Sequence, residues 1–229
     1  MSTDTAPASA TAPPPAPAAA PAAAPAPDPG NPAVLGVPCA VIGVAALGMF
    51  LLGYAPTGSA GALVPLFLAL GVGLFIASRW AISAGVGPLG GIFGVFGAFF
   101  WSFSGVYVGF VNDWFGTHPA TLDETGAAGA LTDSFSVFAL SWAIGGAVLV
   151  LATLRLPLAV WMVLLFSELV FIFVYLAFVT GTFADGGVLR VIAGICSIGA
   201  VLSGAWVFYS AMASSTGGAE ISMGPALVK

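Results

Sequence analysis

Charged side chains are scarce in this chain of 229 residues and make up only 6% of it. Nine acidic and four basic residues cannot cover the surface of a water-soluble domain, in which about 25% of residues are charged. This scarcity excludes a soluble enzyme, and the lack of a lysine and arginine cluster excludes a nucleic-acid binder. With 59% hydrophobic residues and a mean hydropathy of +1.09, the composition indicates a polytopic membrane protein.

Cysteine and histidine are also rare, since the chain has two cysteines and one histidine. Cys39 and Cys196 lie far apart in apolar runs, so they are interpreted as small packing residues rather than a disulfide or a zinc site. His118 stands among scattered acids without metal-ligand spacing, so no metal is expected. Nucleotide-binding and hydrolase motifs are also lacking, which predicts no cofactor and no enzymatic activity.

Residues 1–30 consist almost entirely of alanine, proline, serine and threonine. Repeated prolines prevent a helix from propagating, so this stretch cannot span a bilayer. It also lacks the basic and apolar regions of a secretory signal peptide. The sequence therefore predicts a disordered, Ala/Pro-rich cytoplasmic tail.

Six apolar runs follow, each long enough for a membrane helix of about 20 residues. They are predicted at residues 33–54, 61–79, 88–111, 134–154, 158–179 and 188–212. The expected fold is an all-α, six-transmembrane-helix bundle over residues 31–213, with a polar loop at 112–133. Residues 214–229 are expected to form a short cytoplasmic tail.

The basic residues beside the spans predict the orientation. Arg79, Arg155 and Lys229 fall on the side of the termini, whereas Arg190 alone falls on the opposite side. Because basic residues accumulate on the cytoplasmic side, both termini are expected to be cytoplasmic.

Glycines recur at three- and four-residue steps in the third span. They are Gly87, Gly90, Gly91, Gly94 and Gly97, followed by Gly105 and Gly109. Small residues at this spacing let helix backbones approach closely in lipid. Two interpretations are compatible with the pattern, namely tight packing within one bundle and the lining of a narrow pore or a protomer interface.

Residues 31–36, Asn-Pro-Ala-Val-Leu-Gly, open the first span. Asn31 is a favourable N-cap and Pro32 suits the first helical position. The free N–H groups at a helix start also suit a small carboxylate. The residues alone leave a plain cap and a substrate-binding role for Asn31 both open.

Residues 31–36 resemble the Asn-Pro-Ala-Pro-Leu-Gly signature of the acetate uptake transporter family, the succinate–acetate permeases. Residues 87–101 resemble the glycine- and aromatic-rich third helix of that family, and residues 204–211 resemble its last helix. The resemblance extends over about residues 31–213, and the number of predicted helices agrees with it.

This resemblance implies a plasma-membrane permease for acetate, and also for succinate, that is coupled to protons and assembles as a homo-oligomer, a hexamer. It further implies a pore in each protomer with a hydrophobic constriction of tyrosine, phenylalanine and leucine. The tyrosine position falls on Phe96, the phenylalanine position on Ala40, and the leucine position on Glu168 or its neighbour Ser167. All three differ from the family pattern, so the resemblance supports the scaffold better than the substrate.

Aromatic rings in the third span suit a hydrophobic gate. Phe93, Phe96 and Phe100 share one side of the helix at three- and four-residue spacing, which is suitable for a constriction that stays dry until a substrate enters. Core or lipid packing is the alternative interpretation for these rings.

Glu168 lies near the middle of the fifth span. A charge at mid-bilayer costs about 2.5–3.5 kcal/mol on insertion scales, so the side chain is expected to face the bundle interior in its neutral form. One interpretation is a structural hydrogen bond between helices. The other is a pore-lining carboxyl that couples carboxylate passage to proton transfer, because an ionised Glu168 would repel acetate and would instead favour ammonium.

Three functions therefore remain open. The leading one is a permease for a small monocarboxylate. The second is a pore for a neutral or cationic solute such as urea or ammonium, and the third is a non-transporting membrane sensor or assembly protein. They are distinguished by whether Ala40, Phe96 and Glu168 surround one continuous cavity.

Overall fold

The computed structural model describes residues 30–54, 61–112, 114, 124–183, 186–219 and 221–228. Its helices are α1 (Ala33–Leu51), α2 (Leu63–Ser83), α3 (Gly87–Val111), α4 (Glu124–Ala152), α5 (Leu158–Val179) and α6 (Val188–Ser215). All six are long and apolar enough to cross a membrane, which confirms the expected all-α bundle. The predicted N-terminal tail and the part of the polar loop that contains His118 lie outside the described residues.

Three helices extend further than the apolar runs predict, and the last of them, α6, continues past 212 to Ser215. α2 continues past Arg79 to Ser83 and ends where Gly85 adopts a left-handed conformation with φ 79°, which glycine takes without steric cost. α4 begins at Glu124, ten residues before the predicted start at 134. The added sequence at 124–133 is not apolar but contains no proline, so nothing in it prevents the helix from continuing. The apolar part of α4, Thr132–Ala152, agrees with the prediction.

Close contacts between helices set their directions. α1 and α3 run parallel, because Gly36 faces the Phe93 ring and Gly43 faces the Phe100 ring. α2 and α3, α5 and α6, and α1 and α6 are antiparallel neighbours. We call the end at which α1, α3 and α5 begin and α6 ends the near end, and the opposite end the far end.

The packing is uneven around the bundle. α2 with α3, α5 with α6 and α1 with α6 form the extensive helix pairs, whereas α4 packs on α5 and barely touches α3. Aromatic rings occupy the region between α3 and α4, where Phe99 and Phe103 of α3 approach Phe138 and Trp142 of α4. This arrangement leaves internal space between α3, α4 and α5, on the side where Glu168 lies.

Candidate functional site

The internal space of the bundle includes three apolar cavities between the near end and the middle. The first, the near cavity, has a volume of about 40 Å³ between α1, α3, α5 and α6. The second, the acid cavity, has a volume of about 30 Å³ between α3, α4 and α5. The third, the small cavity, has a volume of about 10 Å³ between α1, α3 and α5.

The near cavity is lined by hydrocarbon alone. Ala40 contributes from α1, Phe96 from α3, Leu164 from α5 and Gly204 from α6. Its other lining residues are Val37, Val41, Val44, Leu89, Ile92, Phe93, Val160, Val163, Ala200 and Val207. A cavity lined in this way offers an ion no hydrogen-bond partner from a side chain, so it suits the apolar part of a solute.

The acid cavity combines aromatic rings with a carboxyl group. Phe96, Phe99, Trp142 and Phe171 supply the rings, and Glu168 supplies the carboxyl. Val95, Gly146, Leu149, Leu164 and Ser167 complete the lining. Such a space, apolar with a few converging polar atoms, is typical of a small-molecule site.

Glu168 is buried, with only 5% of its surface exposed. Within the described part of the chain, neither of its carboxyl oxygens has a hydrogen-bond partner. The hydroxyl of the adjacent Ser167 also lacks one there. An unpaired buried carboxylate is strongly disfavoured relative to the neutral acid. Glu168 therefore lines the acid cavity with both carboxyl oxygens unpaired among the described residues, and its burial favours the neutral form.

α4 makes room for this carboxyl at Gly146. A methyl group at Gly146 would overlap the Glu168 Oε2 atom, whereas one at the preceding Gly145 would meet no atom within 4 Å. The carboxyl group thus lies against the backbone of α4, and the missing side chain at Gly146 is what permits its position.

Phe96 lies where the cavities adjoin. It lines the near cavity, the acid cavity and the small cavity, and Leu164 lines the first two. Ala40 lines the near cavity and Glu168 lines the acid cavity. The three predicted constriction residues therefore line two adjoining cavities that share Phe96.

Ser167, the alternative to Glu168 in the sequence analysis, lines both the acid cavity and the small cavity. Both Ser167 and Glu168 therefore line the acid cavity.

Phe100 and Asn31 lie elsewhere. Phe100 is fully buried and stacks on Phe67 of α2 with 4.6 Å between ring centroids, and it is not among the lining residues of the three cavities. The Asn31 side chain accepts a hydrogen bond from the Ala33 N–H at 3.0 Å, as in a helix cap. That bond occupies one of the donors that a carboxylate would need at this helix start.

Sequence reasoning missed the contribution of α4 to the site. Trp142 and Gly146 line the acid cavity together with Phe99 and Phe171, and none of the four was a predicted site residue. The Gly145–Gly146 pair in the middle of an apolar span was the available signal, because small residues in membrane helices mark close approaches.

The chain matches one family profile over most of its length. The profile described as the GPR1/FUN34/yaaH family covers residues 16–219. No curated protein sequence matches the chain.

Proposed function

The chain belongs to the GPR1/FUN34/yaaH family, the acetate transporter family that its motifs resemble, and on that premise we propose that it is a proton-coupled permease for a small monocarboxylate such as acetate. The family is one of transporters, and it is associated with acetate and monocarboxylate transport. The assignment to this chain, the coupling and the route are our proposal, and one observation carries them. That observation is the buried, unpartnered carboxyl of Glu168 in an aromatic cavity.

Electrostatics gives Glu168 its role in this proposal. An ionised Glu168 repels a carboxylate at contact distance, and in an apolar interior this repulsion is far stronger than in water. A carboxylate therefore enters the acid cavity only when Glu168 is neutral, and the neutral acid then donates a hydrogen bond to it. Transfer of that proton to the departing substrate links one proton to one carboxylate.

Phe96 supplies the barrier between the compartments. Its ring lies where the near cavity and the acid cavity meet, and an apolar constriction of this kind stays dry until a solute displaces the ring. A small acyl group can move with its apolar end against the hydrocarbon of the near cavity. Ala40 leaves that cavity wider than a phenylalanine would at the same position.

Uptake of labelled acetate into proteoliposomes tests the proposal directly. For the wild type, an inward proton gradient is expected to drive uptake well above the level without a gradient. For Glu168→Gln, the side chain keeps its size and hydrogen-bonding groups but exchanges no proton, so uptake is expected to become insensitive to the gradient.

Asp133→Asn provides the matched control, since it makes the same carboxyl-to-amide change at an exposed position of α4. It is expected to keep gradient-driven uptake. Folded wild-type protein that takes up no acetate would overturn the monocarboxylate proposal. Gradient-driven uptake in Glu168→Gln would remove Glu168 from the coupling step while leaving transport intact.

A second candidate substrate is ammonium or a similar small cation. Phe96, Phe99, Trp142 and Phe171 line the same cavity as the carboxyl, and aromatic faces attract cations. With Glu168 ionised, the same cavity would bind a cation rather than an anion. Uptake of labelled methylammonium that Glu168→Gln abolishes, in the absence of acetate uptake, would favour this alternative, and urea is the neutral solute to test beside it.

We further propose that the protein resides in the plasma membrane as a homo-oligomer, a hexamer by family resemblance, with both termini in the cytoplasm. The bilayer covers the apolar outer faces of the helices, and the substrate and protons are the soluble partners. Residues 1–30 and 214–229 flank the transport domain in this arrangement.

A further inference from the structure

The C-terminal segment 221–228 is an irregular stretch of chain that returns to the bundle after α6. Ala226 forms an antiparallel bridge with Pro157, directly before α5, and the Val228 N–H donates to the Leu154 carbonyl at 3.3 Å. Met223 packs against the buried core. The segment is thus docked on the near end of the bundle rather than extending away from it.

Three consecutive carbonyls of this segment accept hydrogen bonds from two helices. The Ser210 hydroxyl of α6 donates to Ile221 at 2.7 Å, and the Trp206 indole N–H of α6 donates to Ser222 at 3.0 Å. The backbone N–H of Ala159, in the first turn of α5, donates to Met223 at 2.9 Å. The first-turn N–H groups of a helix have no partner within the helix, so the segment supplies one that α5 needs.

These donors lie beside the near cavity. Val160, which lines the cavity, follows Ala159 in α5, and Val207, which also lines it, follows Trp206 in α6. The same segment therefore holds the start of α5 and the end of α6 together where the two helices border the cavity. Any opening of the near cavity between α5 and α6 has to break these hydrogen bonds.

We propose that residues 221–228 form a latch that restricts access to the near cavity from the near end, and that release of this latch is the opening step on that side. The latch is held by a few hydrogen bonds to a backbone that can re-dock, which suits a reversible closure. A permanent structural strap would instead leave the accessibility of the cavity unchanged when the segment is loosened.

Thiol labelling of the near cavity tests the latch. In a chain with Cys39→Ala and Cys196→Ala, Val160→Cys reports access when treated with a water-soluble thiol reagent. The labelling rate is compared between the full chain, the chain truncated after Gly218, and the full chain with Trp206→Phe and Ser210→Ala. Loss of each hydrogen bond is expected to raise the rate about fivefold, so the chain that lacks both should label about 25-fold faster, with the truncated chain at least as fast.

Val179→Cys, at the exposed far end of the same helix, is the matched reporter. Its labelling rate is expected to stay the same in all three chains. Faster labelling at both reporters would indicate general loosening of α5 and would overturn the latch. Equal rates for Val160→Cys in all three chains would overturn it as well.

A disulfide between Ser210→Cys and Ile221→Cys tests the opposite direction and does not depend on the truncated chain folding. The cross-link is expected to slow labelling of Val160→Cys below the rate of the uncross-linked chain, and a reductant is expected to restore that rate. A cross-linked protein that labels at an unchanged rate would contradict the proposal. Labelling needs no substrate, so this test can fail or succeed independently of acetate transport.

Discussion

At the scale of single residues, Gly146 and Glu168 work as a pair on adjacent helices. The carboxyl of Glu168 lies in the space that a side chain at position 146 would fill. The role proposed for Glu168 in transport therefore depends on an absent side chain on α4. This dependence can be measured without altering the acid itself.

Gly146→Ala is expected to lower gradient-driven acetate uptake at least tenfold. The added methyl displaces the carboxyl from its position, and a misplacement of about 1 Å at a reacting group can cost about 10²-fold. The helix itself should not suffer, because alanine is a better helix former than glycine by roughly 1 kcal/mol. Uptake into proteoliposomes and the thermal unfolding of the purified variant are the two measurements.

Gly145→Ala is the control, since its methyl group meets nothing within 4 Å. It makes the same chemical change one residue away and is expected to keep wild-type uptake. An equal loss in both variants would mean that α4, rather than the Glu168 carboxyl, is sensitive to the added methyl.

The sequence identifies Glu168 but not its partner, and the reason is physical. An acid in the middle of an apolar span is conspicuous because burying it is costly. Gly146 is one of 31 glycines in the chain. Nothing in the sequence distinguishes it from the others, because its contact with Glu168 depends on how α4 is rotated against α5. The same holds for Phe100, which shares a helix side with Phe96 but points to Phe67 and Gly43.

At the scale of helices, α1 and α3 approach closely because aromatic rings of α3 pack directly against glycines of α1. A methyl group at Gly43 would overlap the Phe100 ring. That ring is fully buried and stacked on Phe67, so it has nowhere to move. The contact sets the distance between two walls of the near cavity, because Ala40 of α1 and Phe96 of α3 both line that cavity.

Gly43→Ala is therefore expected to destabilise the bundle by about 1–3 kcal/mol, as overpacking of a dense core does. Denaturant-induced unfolding in detergent, followed by circular dichroism, measures the change. Gly105→Ala on α3 is the comparison, because its added methyl meets no atom within 4 Å. That variant is expected to unfold at or above the wild-type midpoint. A Gly43→Ala protein as stable as the wild type would mean that the α1–α3 contact yields without cost.

The positions of the helices were predictable because each contains a long apolar run, and long runs of this kind need a bilayer. Helix ends were less predictable, since α4 includes a polar stretch at its start that is helical without being apolar. Which helices neighbour which was not predictable at all, because spans that are apolar all round carry no stripe that marks a partner. The acid cavity depends on that neighbourhood, which is why its α4 residues were missed.

At the scale of the whole molecule, the exposed charges are asymmetric. Arg79 and Arg155 are exposed at the near end. Arg190, the basic residue counted for the far end, is completely buried, and its Nη2 donates to the Phe50 carbonyl near the end of α1 at 2.7 Å. A cation at a helix C-terminus is favourable there, so Arg190 serves the packing of α1 and α6 rather than flanking the membrane. The exposed arginines support the proposed orientation, in which the near end is cytoplasmic.

This orientation predicts that a C-terminal tag is cut by protease in inside-out vesicles and resists protease in intact cells. Tyr54→Cys, at a residue that is 84% exposed beyond the far end of α1, is the complementary reporter in a background without Cys39 and Cys196. An impermeant thiol reagent should label it from outside intact cells. The reverse pattern at both reporters would invert the assigned topology.

The apolar lining of the near cavity has a consequence for the energetics of the cell that carries the protein. Protons move rapidly along unbroken files of hydrogen-bonded water, and a membrane with many such files cannot hold its electrochemical gradient. A compartment lined by hydrocarbon alone interrupts such a file at rest. Under the proposed proton coupling, a proton current should therefore appear only while substrate is moving.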